Sequence, residues 1–126
     1  MKAAERKHLE VFEMRCLRSM VGVTRMDRVR NEDVRGRAGV CVPLSARVDG
    51  MLLRWFGHME RMDEERVVKK VMNAEVSGTR ERGRPRFVWS DGVRRAVEMR
   101  GANVRDAREM ARDRGAWRKF CGWMGV

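Results

Sequence analysis

The side chains in this chain best suited to chemistry are cationic. Between Ser77 and Arg86 the order Ser-Gly-Thr-Arg-Glu-Arg-Gly-Arg-Pro-Arg sets Arg80, Arg82, Arg84 and Arg86 around a single acid, Glu81, with no apolar residue in the stretch. Guanidinium groups on so flexible a backbone can each meet a phosphate, a contact that is strong, independent of base sequence and sensitive to salt. Trp89 follows closely enough for its ring to stack on a base beside those phosphates. The other reactive side chains form no comparable set. Cys16, Cys41 and Cys121 are far apart and lack the local Cys-x-x-Cys or Cys-x-x-His pairs of zinc sites, so they read as buried thiols. His58 has Glu60 and Glu65 nearby but no nucleophile in a recognisable order, and reads as a helix-edge ring stacking on a neighbour; His8 has less support still. The acids are mostly interleaved with arginine at helical spacing, as in Arg108, Glu109, Arg112 and Asp113, a pattern that solvates a helix surface. With no Gly-rich phosphate loop and no Ser-His-Asp order, the chain reads as non-catalytic, without metal or cofactor.

Within the basic stretch, Arg82-Gly83-Arg84-Pro85 matches the Arg-Gly-Arg-Pro core of AT-hook peptides, in which the glycine lets the backbone lie on the minor-groove floor. The proline that usually precedes that core is Glu81 here, so generic phosphate contact is expected over groove reading. The 29 Lys and Arg against 18 Asp and Glu leave a net charge of +11. Ile, Tyr and Gln are absent and Arg outnumbers Lys 24 to 5, a bias that a GC-rich reading frame also produces. Such a bias spreads arginine evenly. The surplus instead concentrates, at +4 over residues 1–43, 0 over 44–76 and +7 over 77–126, which favours a basic C-terminal face for a polyanion.

These residues must be held by helices, since apolar positions recur at steps of three and four and nothing alternates as a sheet strand does. The 126 residues make one domain at most, too few for a polymerase, a kinase or a doubly wound dinucleotide enzyme. No run of eighteen apolar residues could span a membrane, and Met1-Lys2-Ala3-Ala4-Glu5-Arg6 leads into charged helix rather than a secretory signal, so an intracellular, reducing setting is expected. A first helix is predicted over Ala4 to Val21 with Leu9, Phe12, Cys16 and Met20 inward and Gly22 as its stop, followed by a short one capped by Asn31. From Leu44 to Met62 the stripe Leu44, Val48, Met51, Leu52, Trp55, Phe56, Met59 and Met62 predicts the clearest amphipathic helix, after which a short one runs through Val67, Val68, Val71 and Met72. Beyond the linker, Ser90 or Asp91 is expected to cap a helix with Trp89, Val93, Ala96 and Val97 inward, and Asn103 a last helix running past Gly115 to Met124. The reading is an all-α chain of about five or six short to medium helices, loosely packed because methionine is abundant. It divides into an N-terminal helical segment, residues 1–76, a basic Gly/Pro linker, 77–86, and a C-terminal helical pair, 87–126.

One further pattern joins these pieces. Arg54-Trp55-Phe56-Gly57-His58-Met59-Glu60-Arg61-Met62 is followed by Gly83-Arg84-Pro85-Arg86, then Trp89, then Ala111-Arg112-Asp113-Arg114 with Trp117-Arg118, and is preceded by the segment from Val23 to Arg35. In order and spacing it resembles the C-terminal region of non-LTR (LINE-type) retrotransposon endonuclease and reverse transcriptase polyproteins, downstream of the polymerase core. The polymerase aspartates and the endonuclease are absent, so the resemblance implies a truncated remnant, not an enzyme, that handles template RNA or target DNA through phosphate contacts beside a reverse transcriptase core. It implies Arg82, Arg84 and Arg86 as contact residues, Trp55, Phe56 and Trp117 as core, and nuclear residence if the family role is retained. Two other expectations stand beside it: a helical module docking its apolar stripes on a polymerase domain, which would leave part of the Trp55 or Trp117 stripe uncovered, and a reading frame with no retained function.

Overall fold

The computed structural model describes residues 2–75, 77–79, 82–83 and 86–122. Among these there is no strand, and seven helices follow in chain order: α1 (Ala3–Val21), α2 (Asn31–Arg37), α3 (Leu44–Glu60), α4 (Val67–Asn73), α5 (Trp89–Glu98), α6 (Val104–Arg112) and α7 (Arg114–Phe120). The chain is all-α, with one helix more than the spacing suggests. The extra one is created by Asp113. There the backbone turns extended, and the carboxylate accepts the backbone N–H groups of Gly115 at 2.7 Å and Ala116 at 3.3 Å. An acid that satisfies two orphan donors starts a new helix, which puts Gly115 in a first turn rather than in a helix interior. Asn103 caps α6 as expected, its Oδ1 accepting the Asp106 N–H at 2.8 Å, and Gly22 ends α1 at a φ of 69°. Ser90 and Asp91 instead lie inside α5, where Asp91 reaches back to accept the Val88 N–H at 3.0 Å. Asn31 is the first residue of α2, and its side-chain oxygen takes the Arg18 guanidinium at 2.9 Å instead of capping.

The chain forms two compact units, Met1–Val48 and Asp49–Val126, and the division falls inside α3 rather than at the basic linker. In the first unit Met14 and Leu17 of α1 close on Val34 of α2, with Val21, Val23, Val29, Ala38 and Val40 packed around them. The inner face of α1 is therefore turned away from the expected stripe: Phe12 is 59% exposed, Met20 75% exposed, and Cys16 also faces out. The buried Glu13 helps set this rotation. Its carboxylate accepts Arg35 Nη2 at 2.9 Å and the backbone N–H of Leu44 at 2.7 Å, so one acid satisfies a guanidinium and a donor at the start of α3.

The second unit is built on Leu53 and Phe56 of α3, Val93, Ala96 and Val97 of α5, Ala107 and Ala111 of α6, and Trp117 and Cys121 at the end of the chain's helical part. Segments on both sides of the linker share this core, which is why the linker does not separate units. Two glycines explain why the inner face of α3 differs from the expected stripe. A methyl group at Gly57 would overlap Nε1 and Cδ1 of Trp117, and one at Gly50 would lie 3.3 Å from the Cys121 carbonyl oxygen. Glycine thus makes the notch into which the indole fits, and Trp117 Nε1 donates to the Leu53 carbonyl at 2.9 Å. Leu53, Phe56 and Met59 are buried, whereas Met51 and Trp55 are exposed, so Phe56 and Trp117 are core as expected and Trp55 is not. On α4 the apolar residues Val67, Val68 and Val71, expected to face inward, are exposed. The buried one is Lys69, 3% exposed, whose ammonium donates to the carbonyls of Met59 at 3.2 Å and Glu60 at 3.1 Å and so closes the end of α3.

Candidate nucleic-acid interface

The linker enters α5 through two aromatic anchors. Phe87 packs over Gly92, where an added Cβ would meet its ring at 3.6 Å, and Trp89 sets its ring 6.2 Å from Phe56 at a tilt of 38°. Trp89, at 39% exposure, therefore leans one edge on the core and offers the rest to solvent, at the first residue of α5. That is only in part the inward position that periodicity assigns it. Arg82 and Arg86 are exposed, and neither makes a hydrogen bond or ion pair among the described residues. Gly83 between them holds a φ of 154°, a conformation that residues with a side chain rarely adopt. Arg80, Arg84 and Pro85 lie outside the described residues. Of the expected site residues, those described are Arg82, Gly83 and Arg86 in the segment that precedes α5 and Trp89 at its first residue, the two guanidiniums exposed and the indole partly so.

No known protein family, no curated protein and no solved structure matches the chain. The site's own chemistry therefore carries the functional argument. Among the described residues no group of three or more His, Cys, Asp or Glu could hold a metal ion, and no helix is long and apolar enough to cross a membrane. The cysteines are all free. Cys16 and Cys41 are exposed, against the expectation of buried thiols, because the faces of the first unit that carry them turn outward; Cys121 alone is buried. Burial pushes the Cys121 thiol above its ordinary range, while the guanidiniums of Arg100, Arg54 and Arg61 pull it the other way. The His58 ring lies against Trp55 at a tilt of 42°, ring centres 5.4 Å apart, so the helix-edge contact with a neighbour is present but is not a parallel stack.

Sequence reasoning missed a second gathering of charge. An open groove of about 560 Å³ runs between α3 and α7, walled by Arg54, His58 and Arg61 on one side and Arg114 and Arg118 on the other. The signal was present in the spacing: Arg54, His58 and Arg61 stand at i, i+4 and i+7, and Arg114 and Arg118 at i and i+4, so each set shares one helix face. Arg54 and Arg61 read from sequence as the solvent side of an isolated amphipathic helix. Only the packing of α7 beside α3 turns that side into a wall.

Proposed function

We propose that the chain is a non-catalytic nucleic-acid-binding segment of the kind that follows the polymerase core in non-LTR retrotransposon reverse transcriptases. The observation that carries the binding reading is that Arg82 and Arg86 are exposed and make no ion pair among the described residues, in the segment that leads into the half-exposed Trp89. Exposed guanidiniums on a linker gain little from the protein itself and much from phosphates, and an exposed indole face accepts an unpaired base of any sequence. The retrotransposon connection rests on the order of the motifs from Arg54 through Trp117. If the four linker arginines each neutralise a phosphate, log K falls with log salt at a slope near about −3.6 on duplex and about −2.8 on single strands. The variant carrying Arg82→Ala, Arg84→Ala and Arg86→Ala flattens the duplex slope by about 2.7 and weakens binding to unrelated sequences alike. Fluorescence anisotropy with an AT-rich duplex, a GC-rich duplex and a single-stranded RNA tests this. A strong AT preference lost in the variant assigns the linker to the minor groove as an AT-hook instead, and unchanged affinity and slope on all three ligands removes the linker from the interface.

A second reading has its own observation. Met51 and Trp55 lie on one face of α3 and are 64% and 49% exposed, which is the uncovered stripe that a helical module docking on a polymerase domain requires. Purified polymerase core added to the labelled chain, with Trp55→Ala as control, separates the two readings.

A further inference from the structure

The α3–α7 groove differs from a second concavity, in the first unit, in how its charges are used. In the first unit, the open bowl beside α1 also collects arginines, but there Arg35 is bonded to Glu13, and Arg18 to the Val29 carbonyl and Asn31. Those cations hold the fold together. In the α3–α7 groove no lining residue is an acid, and Arg114 and Arg118 are exposed and make no hydrogen bond or ion pair among the described residues. Arg61 is fixed in place by donating Nη1 to the Ala111 carbonyl, which leaves the rest of its guanidinium on the groove wall. The floor is Trp117 and the buried Cys121, so the charges stand over low-dielectric material, where their field is least screened.

Arg114 and Arg118, one turn apart on α7 with no acid among the groove's lining residues, repel each other, and an anion seated in the groove relieves that repulsion. Which anion follows from the rim. Trp55 is half exposed, and its ring lies against His58, itself part of the wall. A phosphate in the groove thus places the attached base beside an open indole. Bases in a duplex are already stacked on one another and cannot reach it, whereas a single strand offers its bases freely.

We propose that the groove between α3 and α7 binds a single-stranded polynucleotide, with Arg114 and Arg118 taking consecutive phosphates and Trp55 stacking a base. This surface is separate from the linker and does not depend on the linker binding anything.

The test uses the full chain and fluorescein-labelled ten-nucleotide oligo(dT) and oligo(U), a hairpin duplex, and poly-glutamate as a non-nucleic polyanion. Arg114 and Arg118 are exposed, so Arg114→Ala with Arg118→Ala leaves the helical circular dichroism unchanged. The double variant is expected to flatten the single-strand salt slope by about 1.4, while Arg114→Lys with Arg118→Lys keeps it. Trp55→Ala is expected to lower single-strand affinity by about tenfold and Trp55→Phe to retain most of it, since stacking needs an aromatic face. Both oligonucleotides are expected to bind more tightly than the hairpin, and the difference between dT and U reports any contact with the ribose hydroxyl. The linker variant is expected to keep the Trp55-dependent part of single-strand binding, which separates failure of the groove from failure of the linker. Unchanged slope and affinity in the Arg114/Arg118 double alanine variant overturn the proposal. So does poly-glutamate displacing the oligonucleotides at equal charge concentration, because the site then takes acidic polypeptide.

Discussion

Replacing Gly57 by alanine should damage the protein although alanine is the better helix former. In an open helix interior, Gly to Ala stabilises by about 1 kcal/mol. At Gly57 the new methyl overlaps Nε1 and Cδ1 of Trp117 and comes within 2.8 Å of Cε2. The ring cannot simply swing away, because it is flanked by Phe56, 5.8 Å between centres, and Phe120, 5.2 Å. Displacement breaks the bond from Nε1 to the Leu53 carbonyl, worth about 1 kcal/mol net, and uncovers part of an indole whose complete truncation costs about 3–5 kcal/mol. After the propensity gain, a loss of about 2–4 kcal/mol remains, which for a unit this size lowers the melting temperature by roughly 10 °C or more. Gly36 in α2 is the matched control, since a methyl group there meets nothing within 4 Å, and Gly36→Ala should raise stability by up to about 1 kcal/mol. All four tryptophans lie in the second unit, so urea unfolding followed by tryptophan fluorescence reads Gly57→Ala and far-UV circular dichroism reads both variants. The same sign for both substitutions, in either direction, would refute the notch.

Trp117→Phe should lose the Leu53 bond and core packing, about 2–4 kcal/mol, whereas Trp55→Ala should cost about 1 kcal/mol or less because half its ring is already wet; urea midpoints rank the two. Two separate cores predict that fluorescence and circular dichroism melting curves of the parent do not coincide, and one sharp transition shared by both probes would count against two independently closing units. Aromatic disulfide reagent should modify Cys16 and Cys41 rapidly and Cys121 only on unfolding. Because the folded chain holds the Cys121 proton above the thiol's ordinary range, that site's contribution is intact below the range and is lost as pH rises through it; stability of the parent should fall there more steeply than that of Cys121→Ala, as alkaline urea titrations can check.

The helical class, the Gly22 stop and the Asn103 cap were legible because each follows from local backbone chemistry. The facing of α1 and α3 was not, since it depends on groups that a hydrophobic pattern scores wrongly. Glu13 is buried because it has two donors to satisfy, and Gly57 because an indole occupies the space above it. Counting only apolar residues placed Trp55 inside and left Leu53 unmarked, the reverse of their exposures. Asp113 reads as an ordinary surface acid until its two accepted N–H groups show it to be a helix start. For the candidate site, the linker arginines stood out because they are close in sequence. The groove did not, because Arg54 and Arg118 are brought together only by the packing of α7 on α3.

The central claim is that this chain meets a polynucleotide through its phosphates, and the most direct measurement is the affinity of the parent chain for a labelled single-stranded oligonucleotide across a range of salt concentrations. Engagement of the four linker arginines predicts a straight line of log K against log salt with a slope of about −2.8, steeper where the groove arginines add their own contacts. A slope near zero, or no binding at low salt, contradicts it.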